Sequence, residues 1–285
     1  MNENEEPRTI TPELVERYAA HLREQEKAPA TIAAYIRALA ALLHFLPGGA
    51  LAKAALIGWK EDLAGRFAPA TVNLHLAALG GFLAFMGWAD LRVKPLKIQR
   101  AVFCTEEKEL SRDEYIRLVK AAEGCGNRRL SLVLQTICAT GIRVSELRFI
   151  TVEAARAGRV EVAGKGKRRV VFLPEKLRGL LLGYAGQQKR TAGPVFVTRT
   201  GRPLDRSNIW RDMKALCESA GVAPDKVFPH NLRHLFARVY YTLEKDLSRL
   251  ADLLGHASVN TTRIYTMESG AVHARQIGRM GLVVT

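Results

Sequence analysis

Four short stretches of the 285-residue chain carry polar side chains that a hydrophobic core does not require. "ATGIRVSEL" places Arg143 just past Gly141, and "GKGKRR" holds Lys165. "PHNLRH" sets His230 and Arg233 one helical turn apart, and "LLGHASVNTTRIYT" puts Tyr265 nine residues after His256. Guanidiniums clamp phosphate or carboxylate oxygens in a planar fork. A tyrosine hydroxyl, with an ordinary pKa of ~10, becomes a useful nucleophile beside a base in a cationic pocket. Together these residue types suit attack on an anionic ester. Each also has an ordinary explanation: an Arg143–Glu146 ion pair, a solvated hairpin-tip lysine, a helix-capping His256, a core Tyr265. His230 and His234 are spaced to share a metal. Asn231 stands where a zinc-peptidase helix needs glutamate and no third ligand is evident, so no metal is expected.

The charge narrows the partner. The chain has 43 Lys+Arg against 28 Asp+Glu, a formal net charge of +15. A folded chain this basic meets a polyanion, nucleic acid first and an anionic membrane surface second. No apolar run is long enough to span a bilayer, which weakens the membrane reading. "MNENEEPRTI" is polar and acidic, unlike a signal peptide. Cys104, Cys125, Cys138 and Cys217 show no CxxC spacing, as expected of reduced thiols in a cytoplasmic protein.

The elements that must position these residues fall into two domains. Residues 1–90 read as four helices. "TPELVERYAAHLREQEK" starts at Thr11 and sets Leu14, Val15, Tyr18 and Leu22 on one face. "APAT" opens helices at Ala28 and again at Ala68. At the same offset of 40, Ala38, Leu39, Leu43 and Phe45 match Ala78, Leu79, Leu83 and Phe85. Two helix-hairpins of one kind are expected, each with a proline in the first turn of its second helix, where the missing N–H costs nothing. From Gly87 to about Leu110 the periodicity fails. Pro95 and the cations Arg92, Lys94, Lys97 and Arg100 make 91–108 a basic linker. Residues 109–268 open on a capping box, Ser111-x-x-Glu114. The helix "NRRLSLVLQTICATG" stops at Gly141. "RVEVAGKGKRRVVFLP" alternates Val160 and Val162 with Arg159 and Glu161 and turns at 164–166, a β-hairpin. A further short strand is expected at Pro194–Val197. The fold class is mainly α: a four-helix domain, then a mostly helical α/β domain with a small antiparallel sheet.

The order Arg143, Lys165, His230-x-x-Arg233, His256, Tyr265 resembles that of the tyrosine recombinases, the family of phage integrases and Xer-type recombinases. All four stretches look like that family's boxes, and the four-helix domain resembles its core-binding domain. Leu235 departs from the small hydroxyl residue often found there, and no arm-binding module is expected ahead of Thr11. The resemblance implies a site-specific recombinase of double-stranded DNA. It implies strand exchange through a 3′-phosphotyrosine and a Holliday junction, without metal or ATP. Tyr265 would be the nucleophile and His230 would accept its proton. Arg143 and Arg233 would clamp the non-bridging oxygens, Lys165 would protonate the leaving 5′-oxygen, and His256 would donate a hydrogen bond to the phosphate. Glu146 would orient the others from behind. Two further readings stay open: a type IB topoisomerase-like nicking and resealing enzyme, and a catalytically silent architectural DNA-binding protein.

The resemblance also implies a C-shaped clamp around DNA, with a dimer on each site and a homotetramer on two duplexes. Candidate DNA contacts are Thr31, Tyr35 and Arg37 on the second helix, Asn73 and His75 on the fourth, and Arg206, Asn208 and Arg211 in "DRSNIWRDMK". The tail, 269–285, carries Val272, Ile277, Met280, Leu282 and Val283, too few to form a core. It is expected to dock on a neighbouring protomer in a head-to-tail ring.

Overall fold

Thr11 accepts a hydrogen bond from the Leu14 N–H and Pro12 follows it, so helix α1 (Pro12–Glu24) starts at a capped, proline-tolerant first turn. The computed structural model describes residues 8–98, 108–164, 167–256, 258–265 and 277–282. They belong to two units, 1–100 and 101–285.

In the first unit the sequence repeat becomes a structural one. Helices α2 (Pro29–Phe45) and α4 (Pro69–Phe85) are each 17 residues long, with the same bounds at the 40-residue offset. They bury equivalent positions: Ile32 and Val72, Ala38 and Ala78, Leu39 and Leu79, Leu42 and Phe82. Neither has a side-chain cap. A cap is worth ~1 kcal/mol, whereas each fully buried large apolar side chain contributes about 1.5–3 kcal/mol, so packing decides. Helix α3 (Lys53–Arg66) adds Trp59 and α1 adds Tyr18 to the same core. Leu91 and Val93 are buried there too. Asn73 then holds Leu96 through two hydrogen bonds of 2.8 and 2.9 Å. The chain thus stays against α4 well into the stretch expected as linker; residues 99–107 lie outside the described residues.

In the second unit the Ser111–Glu114 capping box forms and starts α5 (Arg112–Gly124). Helix α6 (Arg128–Thr140) is buried along most of its length and ends at Gly141, where φ is +61°. A Cβ on Gly141 would lie 2.5 Å from the Phe236 ring, so the glycine serves both the turn and the close approach. After α7 (Val152–Ala157) come antiparallel strands β1 (Arg159–Gly164) and β2 (Lys167–Phe172). Val160 pairs with Val171 and Val162 with Arg169. The three valines face the core. Helices α8 (Glu175–Gln187), α9 (Arg206–Ala215), α10 (Cys217–Ala220), α11 (Pro229–Glu244), α12 (Leu247–Leu254) and α13 (Val259–Arg263) complete the described α-helices.

The expected strand at Pro194–Val197 is not one. It makes two isolated bridges, Thr151 to Pro194 and Val197 to Pro203. Each bridge contains a proline with no N–H to donate, so neither grows into a ladder. Among the described residues no helix is long and apolar enough to cross a membrane.

Candidate active site

Three consecutive carbonyls at the end of α12 each accept from a different arginine. Arg169 Nε donates to Leu253 O at 3.1 Å, Arg233 Nη2 to Leu254 O at 2.7 Å, and Arg143 Nη2 to Gly255 O at 3.4 Å. The last carbonyls of a helix lack intrahelical donors and carry the negative end of its dipole. This helix end therefore gathers cations from three distant segments: the turn after α6, strand β2 and helix α11. Gly255 closes the helix at φ +65°, and a Cβ there would meet Arg169 Cδ at 2.7 Å.

Glu146 lies behind this group. Its Oε1 and Oε2 accept from Arg169 Nη1 and Nη2, both at 2.8 Å, in a bidentate pair. The same carboxylate accepts from the Arg143 N–H at 2.8 Å and from Arg143 Nη1 at 3.0 Å. Burial by itself would raise the Glu146 pKa, but Arg169 and Arg143 hold it down at about 2. Arg169 is the site residue missed from the sequence. The signal was present: on β2 it shares the inward parity of Val171, and an arginine at a core-facing strand position needs a buried partner.

Arg233 is 1% exposed. Its Nη1 donates to Gly141 O at 2.5 Å, and Nη2 also reaches His256 Nε2 at 3.0 Å. A guanidinium can only donate, so Nε2 accepts, and the proton on Nδ1 goes to Thr262 Oγ1 at 2.8 Å. With both ring nitrogens engaged, His256 orients Arg233 here. Burial and Arg143 lower the Arg233 pKa to about 10, opposed by Tyr265, so the guanidinium stays charged at pH 7.

Tyr265 is 2% exposed and packs with Ala237, Leu250 and Leu254. Its ring meets the edge of His234 at 4.4 Å, stacks on His256 at 5.6 Å and lies 6.2 Å from His230. The short helix α13 delivers it, capped by the Ser258 hydroxyl. His230 is open to solvent at the start of α11. Partial desolvation and the cations of Arg233, Arg143 and Arg206 lower its pKa. Burial and neighbouring cations bring His234 and His256 down to about 4.

Those two rings make stability depend on pH. The unfolded chain takes up both protons first, so this contribution is intact above about 6.5 and is lost as pH falls toward 4, at up to about 1.4 kcal/mol per pH unit per histidine. Glu146 adds its own loss only lower, as pH falls from 4.5 to about 2. The Tm is expected to drop between pH 7 and pH 5, and less steeply in His234→Gln. A flat wild-type Tm across that range would contradict the burial of these rings.

Of the remaining expected residues, Arg206 acts on His230 through its charge. Lys165 lies outside the described residues. Asn73, expected on DNA, has both amide atoms committed to Leu96. His75, expected likewise, bonds Thr71 O and packs against Phe67 and Trp59. Both are structural groups of the first unit. Thr31 and Tyr35 are half-buried and Arg37 is exposed. Arg206, at the start of α9, and Arg211, in its middle, are exposed, and Asn208 Oδ1 accepts from Arg211. Asn231 donates to Lys108 O and Lys226 O. Val272 and Val283 of the tail lie outside the described residues; Ile277, Met280 and Leu282 are exposed.

Residues 108–270, more than half of the chain, match the profile of the phage integrase family. The chain belongs to that family. Tyrosine recombinase XerD of Xanthomonas campestris pv. campestris is 32% identical over 236 residues, 73% of this chain and 70% of that protein. Tyrosine recombinase XerA of Thermococcus kodakarensis is 31% identical over 264 residues, 89% of this chain and 90% of that one. This phage integrase family member is thus a tyrosine-type site-specific recombinase. Its fold resembles that of one chain in a crystal structure of a lambda integrase tetramer bound to a Holliday junction, with a TM-score of 0.72, 18% identity and coverage of 90% of this chain and 77% of that one.

Proposed function

We propose that this recombinase breaks and rejoins double-stranded DNA by attack of Tyr265 on a phosphodiester held between Arg143 and Arg233. The observation that carries the reading is the convergence of Arg143, Arg169 and Arg233 on one helix end beside Tyr265. Three guanidiniums against the Glu146 carboxylate leave two net positive charges. A phosphodiester arrives with one negative charge and approaches two as the fifth oxygen bonds. The site therefore matches the transition state better than the ground state.

In the proposed step His230, its pKa lowered, takes the Tyr265 proton. The phenolate oxygen bonds to phosphorus as the P–O5′ bond breaks, and Lys165 protonates the departing 5′-oxygen. The resulting 3′-phosphotyrosine keeps the bond energy. A 5′-hydroxyl from the other duplex reverses the step and yields a Holliday junction, with no ATP and no metal required. Tyr265 is almost wholly shielded without DNA, so binding has to draw out the α13 segment. Arg37, Arg206 and Arg211, with Thr31 and Tyr35, are proposed DNA contacts in a clamp that closes round the duplex. The proposed assembly is a dimer per site and a homotetramer on two duplexes in the cytoplasm, with the exposed apolar tail residues docked on neighbouring protomers.

The test is a supercoiled plasmid carrying two copies of a duplex selected by binding. Recombinant circles are expected. Relaxed topoisomers alone would favour a nicking and resealing enzyme, and a mobility shift with no new products would favour a silent binding protein. Affinity is expected to fall on the order of 10³- to 10⁵-fold between 50 and 200 mM salt if six to ten phosphates are contacted. A nearly flat dependence would count against the clamp.

A further inference from the structure

Arg169 stands outside the set of groups that would touch DNA, yet all three of its guanidinium nitrogens are committed inside the site: two to Glu146 and one to Leu253 O. It joins strand β2 to the turn that carries Arg143 and to the end of α12. The two clamp arginines depend on it very differently. Arg233 is 1% exposed and has its own carbonyls at Gly141 and Leu254. The Arg143 side chain is 41% exposed. It is held by Glu146 Oε1 at 3.0 Å and by a long contact to Gly255 O at 3.4 Å.

We propose that Arg169 is a positioning residue for strand cleavage, one that sets the direction of the Arg143 guanidinium through the Glu146 carboxylate they share. The inference rests on reading Arg143 as a phosphate clamp. An exposed arginine side chain has many rotamers. One firm acceptor selects among them; the Arg143 N–H holds one of its oxygens, and the bidentate pair with Arg169 fixes the plane of both. Lysine cannot replace Arg169: a single ammonium cannot span both carboxylate oxygens and the Leu253 carbonyl. Arg169 also lies against Gly255, where an added Cβ would meet its Cδ at 2.7 Å, beside the carbonyl that Arg143 uses as its second acceptor.

A merely structural ion pair would act on folding and add its effect to that of any other substitution. A positioning residue acts through Arg143 and has nothing left to do once Arg143 is gone. The experiment measures single-turnover cleavage of a nicked suicide duplex by the full-length protein at saturating concentration. It compares wild type, Arg143→Ala, Arg169→Lys and the double variant, with DNA affinity and Tm recorded for each. Arg169→Lys is expected to slow cleavage about 10- to 100-fold, the scale for outer partners that orient a charged group. Its DNA affinity should be close to wild type, and the double variant should be no slower than Arg143→Ala. Wild-type cleavage by Arg169→Lys would overturn the proposal, as would a double variant slowed by the product of the two single losses. Unimpaired cleavage by Arg143→Ala would instead defeat the clamp reading on which it rests. If Arg169→Lys does not fold, Glu146→Gln takes its place. It keeps the shape and one acceptor, and the same non-additivity with Arg143→Ala is required of it.

Discussion

Tyr265→Phe is expected to bind target DNA as the wild type does and to form no covalent complex with it. Phenylalanine keeps the edge contact with His234, the stack on His256 and the packing on Ala237, Leu250 and Leu254. Only the hydroxyl is lost. The unit should therefore fold with a Tm near that of the wild type. The loss of cleavage should be on the order of 10⁶-fold, the scale seen when an enzyme loses its covalent nucleophile. A nicked suicide duplex followed by denaturing electrophoresis reads the covalent product directly. A Tyr265→Phe protein that is still trapped on that duplex would remove Tyr265 from the mechanism.

The second large effect separates the clamp from the leaving-group acid. Removing a single preorganised oxyanion donor costs about 10²- to 10³-fold, and each arginine here offers more than one N–H. Arg143→Ala should lie near that range and Arg233→Ala beyond it. Arg233→Ala also strands the Gly141 and Leu254 carbonyls and leaves His256 without its donor. Arg233→Lys, which keeps the charge, controls for folding. Lys165→Ala should slow cleavage by a different route, because its proposed work is to protonate the 5′-oxygen. A duplex with sulfur at the 5′-bridging position has a leaving group that needs no proton. It is expected to restore cleavage by Lys165→Ala and to leave both arginine variants slow. Equal restoration of all three would refute this division of labour.

What was legible in the sequence was local or ordered along the chain. Thr11 and Ser111 announced helix starts because a capping hydroxyl acts within three residues. The 40-residue offset marked α2 and α4 because one apolar face repeated must be buried twice in the same way. The hairpin followed from alternation and its glycines. Pro194–Val197 was expected as a strand too, and failed because each of its two bridges contains a proline with no N–H to donate.

By itself, then, the sequence determined most of the elements, the candidate reactive side chains and their order, since each rests on residue type and short-range spacing. Only the tertiary structure decided which of those side chains lie together and what holds them. Leu253, Leu254 and Gly255 carry no chemistry in their side chains, yet their carbonyls gather three arginines from distant segments. His256 became an acceptor for Arg233 because Thr262 takes its proton. Asn73 and His75, on a mostly apolar helix, bond Leu96 and, one turn back on the same helix, the Thr71 carbonyl. Backbone carbonyls have no letter in the sequence, and a hydrogen-bond partner is set by distance in space. Pairings between residues as far apart as Arg169 and Glu146 are therefore properties of the folded chain alone.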